Sequence, residues 1–458
     1  MYTINFNTPV HIHFIGIGGI SMSGLADILF SKGFTVSGSD ANESDLTIAL
    51  RNKGMIVNIG QQASNITDDI DVVVYTAAIH PDNPEYMEVI RRDIPMLTRA
   101  ELLGEIMSNY KVAIGVAGTH GKTTTTSMLA DIMLAANLDP TISVGGILPS
   151  INGNLRMGNS GNFITEACEY TNSFLSFAPT IEIILNIEED HMDFFKDLDD
   201  IRNSFKQYVN LLPEHGLLVI NGDIPNVDYI FENAKCPIIT VGTDDSCLYT
   251  ARELTHDDMG RYSYTLVCDG KDITRVTLGV TGIHNVYNSL AAFAVADALQ
   301  IETDITVDAL SAFTGANRRF QKKGELNGFT IIDDYAHHPA EITATLKVAN
   351  ECRHNKVICI FQPHTYTRTN AFLKDFAKSL SLADHIILAD IFAAREQNTI
   401  GITSLDLKRE IDALGTPCTY EPDFARIEEL VLSMAKEDDL VITMGAGDIV
   451  KIGENLLK

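Results

Sequence analysis

A chain of 458 residues has room for about three domains at roughly 150 residues apiece. Its composition is ordinary for a globular protein, 45% hydrophobic and 21% charged, but 34 Lys+Arg against 61 Asp+Glu leave a formal charge of −27. Nucleic acid and anionic lipid are therefore poor default partners, and any polyanionic ligand must be met by a local site. Seven cysteines without a CxxC pair argue against a disulfide framework or a zinc ribbon. The opening MYTINFNTPVHIHF lacks the basic and apolar regions of a signal peptide, and no run of about 18 apolar residues appears. The expectation is a soluble, cytoplasmic protein, monomer or homodimer, that binds neither nucleic acid nor membrane.

In chain order, HIHFIGIGG reads as a strand and a glycine turn leading into a helix through MSGLADILF. FTVSGSD and DVVVYTAA are further strands, and the helical RAELLGEIMSN closes a first block near residue 110. KVAIGVAGTHGKTTTTSMLADIML starts a new strand–loop–helix unit, followed by strands at NFITEAC and TIEIILNI. The stretch 241–275 suggests a small antiparallel insert. A third block opens near 324, with strands GFTIIDDY, KVICIFQP, HIILADIF and DLVITMGAG and helices PAEITATLKVANEC and NAFLKDFAKSLSLA between them. This alternation predicts an α/β chain of three domains, 1–109, 110–322 and 323–458.

Two glycine loops carry chemistry. Gly16-Ile17-Gly18-Gly19-Ile20-Ser21 meets a dinucleotide fingerprint at two glycines but has Ser21 at the third, and Asp40 ends the next strand where a ribose-binding acid would sit. This predicts a diphosphate-linked ligand at a helix N-terminus, either NAD or a UDP-sugar. Gly118-Thr119-His120-Gly121-Lys122-Thr123-Thr124 follows an apolar strand and opens a helix. Its amides can wrap phosphates, Lys122 can neutralise β/γ oxygens, and the Thr123 hydroxyl can hold Mg²⁺. Val116 stands where a strict Walker loop has glycine, so the turn is a shorter one.

The polar clusters that follow stand at strand ends, where α/β sheets place ligands. Glu166 ends FIT and suits magnesium, while His191, in the acidic loop after Asn186, can serve a second metal or orient substrate. Asn285 and Asn288 precede a helix rich in small residues. Arg318-Arg319 offers a cation for developing phosphate charge, and Asp334, His337, His338, His364 and Arg368 follow two further strands.

Taken together, GTHGKTTT, EACEY, EEDHMD, GIHNVYN, RRF and DDYAHHP resemble the motifs of the Mur ligases, in the family's order across the whole chain. HFIGIGG with MSG, TRAELLGE and FQPHTYTRT resemble the branch that adds L-alanine. The resemblance implies a Rossmann-like UDP-substrate domain, a central P-loop ATPase domain and a C-terminal Rossmann-like amino-acid domain. It also implies ATP-dependent amide formation between UDP-N-acetylmuramate and L-alanine in peptidoglycan precursor synthesis, through an acyl phosphate, with ATP and Mg²⁺ required. By the same resemblance Lys122 holds the transferring phosphoryl group, Thr123 and Glu166 the first Mg²⁺, and His191 the second metal. Gly118, Thr119, His120, Gly121 and Thr124 complete the ATP loop. Asn285 and Asn288 meet adenine or its surroundings, and Arg319 and Asp334 the phosphates and ribose. Gly18, Gly19, Ser21, Met22 and Asp40 line the UDP end, and His337, His338, His364 and Arg368 shape the alanine site.

Thr365 departs from relatives that carry Arg after the His of FQPH. Other Mur ligases use a carbamylated lysine in the segment that here reads SFKQYV, where either Phe205 or Lys206 takes the position; the resemblance to the alanine-adding branch implies no carbamate. The alternatives are a ligase that reattaches a recycled murein tripeptide, an NAD-dependent oxidoreductase using the first loop, and a nucleotide-binding switch without turnover.

Overall fold

Three sheets, each drawn from its own stretch of chain, organise the computed structural model, which describes every residue except Met1, Ala77, Asp193 and Arg395. Asp193, the last residue of EEDHMD, thus lies outside the described residues. The first sheet has five parallel strands in the spatial order Ile56–Ile59, Thr35–Asp40, His11–Ile15, Val72–Tyr75 and Met96–Thr98. Its central strand is buried along its whole length, as a parallel strand covered on both faces must be. Ile12, Phe14, Val36, Val72 and Val74 pack beneath Leu25, Ile28 and Leu29 of the helix Ile20–Ser31.

The second sheet has ten strands. Its parallel heart runs Leu217–Asn221, Ile181–Ile184, Val112–Ala117, Asn162–Glu166 and Thr141–Leu148. The expected antiparallel insert is present as Tyr249–His256, Arg261–Cys268 and Lys271–Thr281, but it is not separate. Tyr249 pairs in parallel with Val241, so the meander extends the central sheet. The reason is its buried face: Tyr264, Leu266, Val276 and Leu278 join the core formed with Val286, Leu290 and Phe293 of the helix His284–Ala298.

The third sheet orders Gln321–Leu326, Phe329–Asp334, Leu440–Met444, Val357–Phe361, His385–Leu388 and Cys418–Tyr420, with only the first pair antiparallel. The helix expected over NAFLKDFAKSLSLA is two helices, Tyr366–Ala371 and Leu373–Leu380, broken at Phe372, whose ring meets His338 edge-on at 4.8 Å. No helix among the described residues is long and apolar enough to cross a membrane. In each sheet the loops that carry Gly16, Gly118, Asn186, Asp334 and His364 leave the C-terminal ends of parallel strands, the edge where open α/β sheets receive ligands.

Candidate active site

At the end of His11–Ile15 the chain turns through Gly16, whose φ of 87° lies in the left-handed region. The Gly16 and Ile17 amides donate to the Ser39 carbonyl at 2.8 and 2.9 Å, tying the loop to the neighbouring strand. Asp40 accepts the Gly18 N–H at 2.9 Å and the Asn42 N–H at 3.2 Å, so its carboxylate braces the loop. A Cβ on Gly18 would stand 2.8 Å from that carboxylate, which explains the glycine. Gly19 caps the helix Ile20–Ser31 without any side-chain acceptor, leaving the amides of its first turn, at Ser21 and Met22, open for an anion.

The second loop is held more tightly. Gly118 and Gly121 adopt φ of 140° and 87°, and a Cβ on Gly121 would reach Asn288 Oδ1 at 2.6 Å. Asn186 clamps the loop reciprocally, accepting the His120 N–H at 2.7 Å and donating to the His120 carbonyl at 3.0 Å, while the Thr119 amide donates to the Asn186 carbonyl at 3.1 Å. Asn288 is itself fixed by donating to Asn285 Oδ1 at 2.9 Å, and Asn285 donates to the Thr281 carbonyl at 2.7 Å. Lys122 and Thr123 open the helix Lys122–Ala135; Thr123 is buried and Thr124 half-buried.

Lys122 Nζ donates to the Gly118 carbonyl at 2.6 Å and to both Glu169 carboxylate oxygens at 2.9 and 3.1 Å. Burial works against its charge, but Glu169 outweighs it and holds the ammonium above its ordinary value. Glu169 was not singled out in the sequence, although EACEY contains it. It sits in the turn after the strand rather than at the strand end, and it is 2% exposed. His191 Nε2 lies 3.8 Å from both Glu169 and Asp190, and the ligand atoms of these three residues all fall within 4.8 Å of one another. Two carboxylates with one imidazole suit a hard divalent cation that keeps part of its water. Thr123, at the start of the phosphate-loop helix, and Glu166, at the end of its strand, are the oxygen ligands expected for the first Mg²⁺, with His191 expected at a second metal. Glu166 Oε1 accepts the Gly145 N–H at 2.5 Å, which leaves its other carboxylate oxygen available.

The C-terminal side faces this centre. Asp334 accepts N–H donors from Phe320 at 2.8 Å and Ala336 at 2.7 Å, yet burial pushes its carboxyl up to about 6. The paired arginines part company. Arg318 reaches Asp333 at 2.9 Å and the carbonyls of Gly445 and Gly447, stacks over Tyr335, and so knits the third sheet. Arg319 is exposed, and its charge acts on Asp334, His337 and Glu341. His337 and His364 meet at 5.8 Å between ring centroids, and Arg368 Nη1 lies 3.3 Å from His364 Nδ1. Phe392, unmarked in the sequence, stacks on His364 at 5.7 Å. Burial lowers the pKa of His337, His338 and His364, which favours neutral imidazoles. The Asp190 charge reaches His338 from the central domain. Phe205 is buried against Phe174, and Lys206 pairs with Glu232 beneath the Tyr229 ring.

Residues 11–111, 116–296 and 318–447 match, in turn, the family models described as Mur ligase family catalytic domain, Mur ligase middle domain and Mur ligase glutamate ligase domain. The UDP-N-acetylmuramate–L-alanine ligase of Lachnospira eligens is 58% identical over 459 residues, covering 100% of both chains. The crystal structure of UDP-N-acetylmuramate-alanine ligase MurC from Thermotoga maritima superposes with a TM-score of 0.78 at 29% identity, over 98% of each chain. The murein peptide ligase from Psychrobacter arcticus follows with a TM-score of 0.70 at 26% identity, also over 98% of each. Three successive domain matches and full-length identity of this order agree with the phosphate loop and the clusters around it, and the chain belongs to the Mur ligase family.

Proposed function

We propose that the protein joins L-alanine to the lactyl carboxylate of UDP-N-acetylmuramate, converting ATP to ADP and phosphate, in peptidoglycan precursor synthesis in the cytoplasm. Domains 1–109, 110–322 and 323–458 take the UDP-sugar, ATP and the amino acid respectively, with the third sheet already begun at Gln321. The observation that carries this reading is the phosphate-binding loop that holds Lys122 beside a metal-capable acidic group, with Asp190 of that group acting on His338 of the histidine–arginine cluster.

A carboxylate is a poor acyl donor until it gains a leaving group. In the first step a carboxylate oxygen attacks the γ-phosphorus of ATP, the bond to the β-bridging oxygen breaks, and ADP leaves with that electron pair. The amine of alanine then attacks the acyl carbon, and the tetrahedral intermediate collapses with loss of phosphate. Lys122 follows the γ-phosphoryl oxygens, exchanging Glu169 for phosphate, and the loop amides of Gly118–Thr124 hold the rest of the triphosphate. Asn285 and Asn288 back the loop towards adenine, and Asp334 and Arg319 meet ribose and phosphate. Thr123 and Glu166 would hold the first Mg²⁺ and His191, with Glu169 and Asp190 close by, a second; the two supply charge neutralisation on the phosphates. Arg368 pairs with the alanine carboxylate, and a neutral imidazole of the His337–His364 pair accepts the proton that the alanine ammonium must lose before it attacks. Lys206 takes no part.

The test is phosphate release from ATP with Mg²⁺ and UDP-N-acetylmuramate, offering L-alanine, glycine, L-serine or a murein tripeptide. Release that requires L-alanine together with the nucleotide sugar supports the reading. Release with the tripeptide alone moves the chain to the recycling branch, and a folded, ATP-binding protein without release under any amine removes the ligase reading.

A further inference from the structure

Arg99, the basic residue of TRAELLGE, opens the helix Arg99–Met107. Thr98 Oγ1 caps the Glu101 N–H there at 3.2 Å, and a cation is the wrong sign for the helix dipole. Arg99 is also half-buried, and no ion pair forms to it among the described residues. Glu101, the one acid of its first turn, is turned back to the Thr98 N–H at 2.7 Å. The guanidinium instead extends towards the first glycine loop, where Nη1 donates to Ser21 Oγ at 3.3 Å. Cys168, in the turn between Glu166 and Glu169, lies close enough for its thiol to feel the charges of both Arg99 and Lys122. An unpaired guanidinium, the open amides at Ser21 and Met22 and a second helix N-terminus thus meet between the two glycine loops. On a chain of net charge −27 this is a place left for an anion.

We infer that Arg99 is a substrate-binding cation for the anionic part of the nucleotide sugar, its diphosphate or its lactyl carboxylate, where the substrate crosses from the N-terminal sheet to the phosphate loop. The inference rests on the substrate proposed above. A forked guanidinium suits either group, and at this position it offsets the repulsion met as the carboxylate approaches a triphosphate.

Calorimetric titration of UDP-N-acetylmuramate, UDP-N-acetylglucosamine and ATP into the parent protein, Arg99→Gln and Arg99→Lys tests it. Arg99→Gln is expected to weaken UDP-N-acetylmuramate about ten- to a hundredfold, the range of a lost charge-assisted contact, with partial recovery in Arg99→Lys and an unchanged Kd for ATP. UDP-N-acetylglucosamine has the diphosphate and lacks the carboxylate. A parallel loss for it assigns the contact to the diphosphate, and a loss confined to UDP-N-acetylmuramate assigns it to the carboxylate. Undiminished UDP-N-acetylmuramate affinity in Arg99→Gln overturns the inference, and so does an equal loss of ATP affinity, which would make Arg99 a residue of the fold. A parent protein that ignores UDP-N-acetylmuramate would remove the substrate reading itself, a failure visible before any variant is compared.

Discussion

Replacing Glu169 by Gln keeps the side-chain shape and removes the charge that balances Lys122. The pair is bidentate at 2.9 and 3.1 Å, with Glu169 2% and Lys122 16% exposed, so water screens it little. Removing one partner of a buried pair costs about 3–5 kcal/mol. Here the Gly118 and Thr119 carbonyls, at 2.6 and 3.2 Å, still accept from Lys122, which places the loss at the lower end, about 3 kcal/mol. Lys122→Met leaves Glu169 the orphan instead and is destabilising to a similar degree. The double variant leaves neither charge unpaired, so the singles should exceed additivity with a coupling of about 2 kcal/mol. The chain has no Trp, so urea unfolding is best followed by far-ultraviolet circular dichroism without nucleotide. A Glu169→Gln variant within about 0.5 kcal/mol of the parent, or singles that simply add, would refute the claim that this ion pair holds the resting loop.

Other consequences separate neighbouring residues. Arg318→Ala strands buried Asp333 and should destabilise the third sheet by about 3 kcal/mol, whereas Arg319→Ala should stay within about 0.5 kcal/mol in urea and lose phosphate release. Gly121→Ala puts a Cβ 2.6 Å from Asn288 Oδ1 at a left-handed φ, and nucleotide titration should show ATP binding lost. Asp334, raised to about 6 in the fold, binds more protons folded than unfolded between about pH 4 and 6. Its contribution is therefore full at the acid end of that window and is lost as pH rises to about 6; urea midpoints should show that decline flattened in Asp334→Asn. Lys206→Ala should leave turnover unchanged, since its partners are Glu232 and Tyr229; a large fall in kcat would reopen the carbamate question.

The glycine loops and the polar strand ends were legible because their chemistry is local. A phosphate loop needs left-handed glycines beside a lysine, and parallel strands present their C-terminal residues at one edge. Glu169 was not legible for the same reason. Strand logic stops at Glu166, and the turn that brings Glu169 under Lys122 runs on into Thr171 and Asn172, both at positive φ, which no periodicity announces. Adjacent arginines read alike in sequence, yet Arg318 stands at φ 61° and is directed into the third sheet while Arg319 stays exposed. The alternating stretch over 241–275 gave the antiparallel strands but not the sheet they join, because that depends on their buried face packing against the later helix His284–Ala298. Of Phe205 and Lys206, only the helix face tells which turns inward, and the core takes the ring.

The claim on which the account turns is that the sugar carboxylate is phosphorylated before the amine arrives. UDP-N-acetylmuramate labelled with oxygen-18 in the lactyl carboxylate, incubated with ATP, Mg²⁺ and L-alanine, addresses it by mass spectrometry of the released phosphate. The account predicts one labelled oxygen in each phosphate, since the oxygen that attacks the γ-phosphorus departs with it when the amide forms. Amide product accompanied by unlabelled phosphate would contradict it.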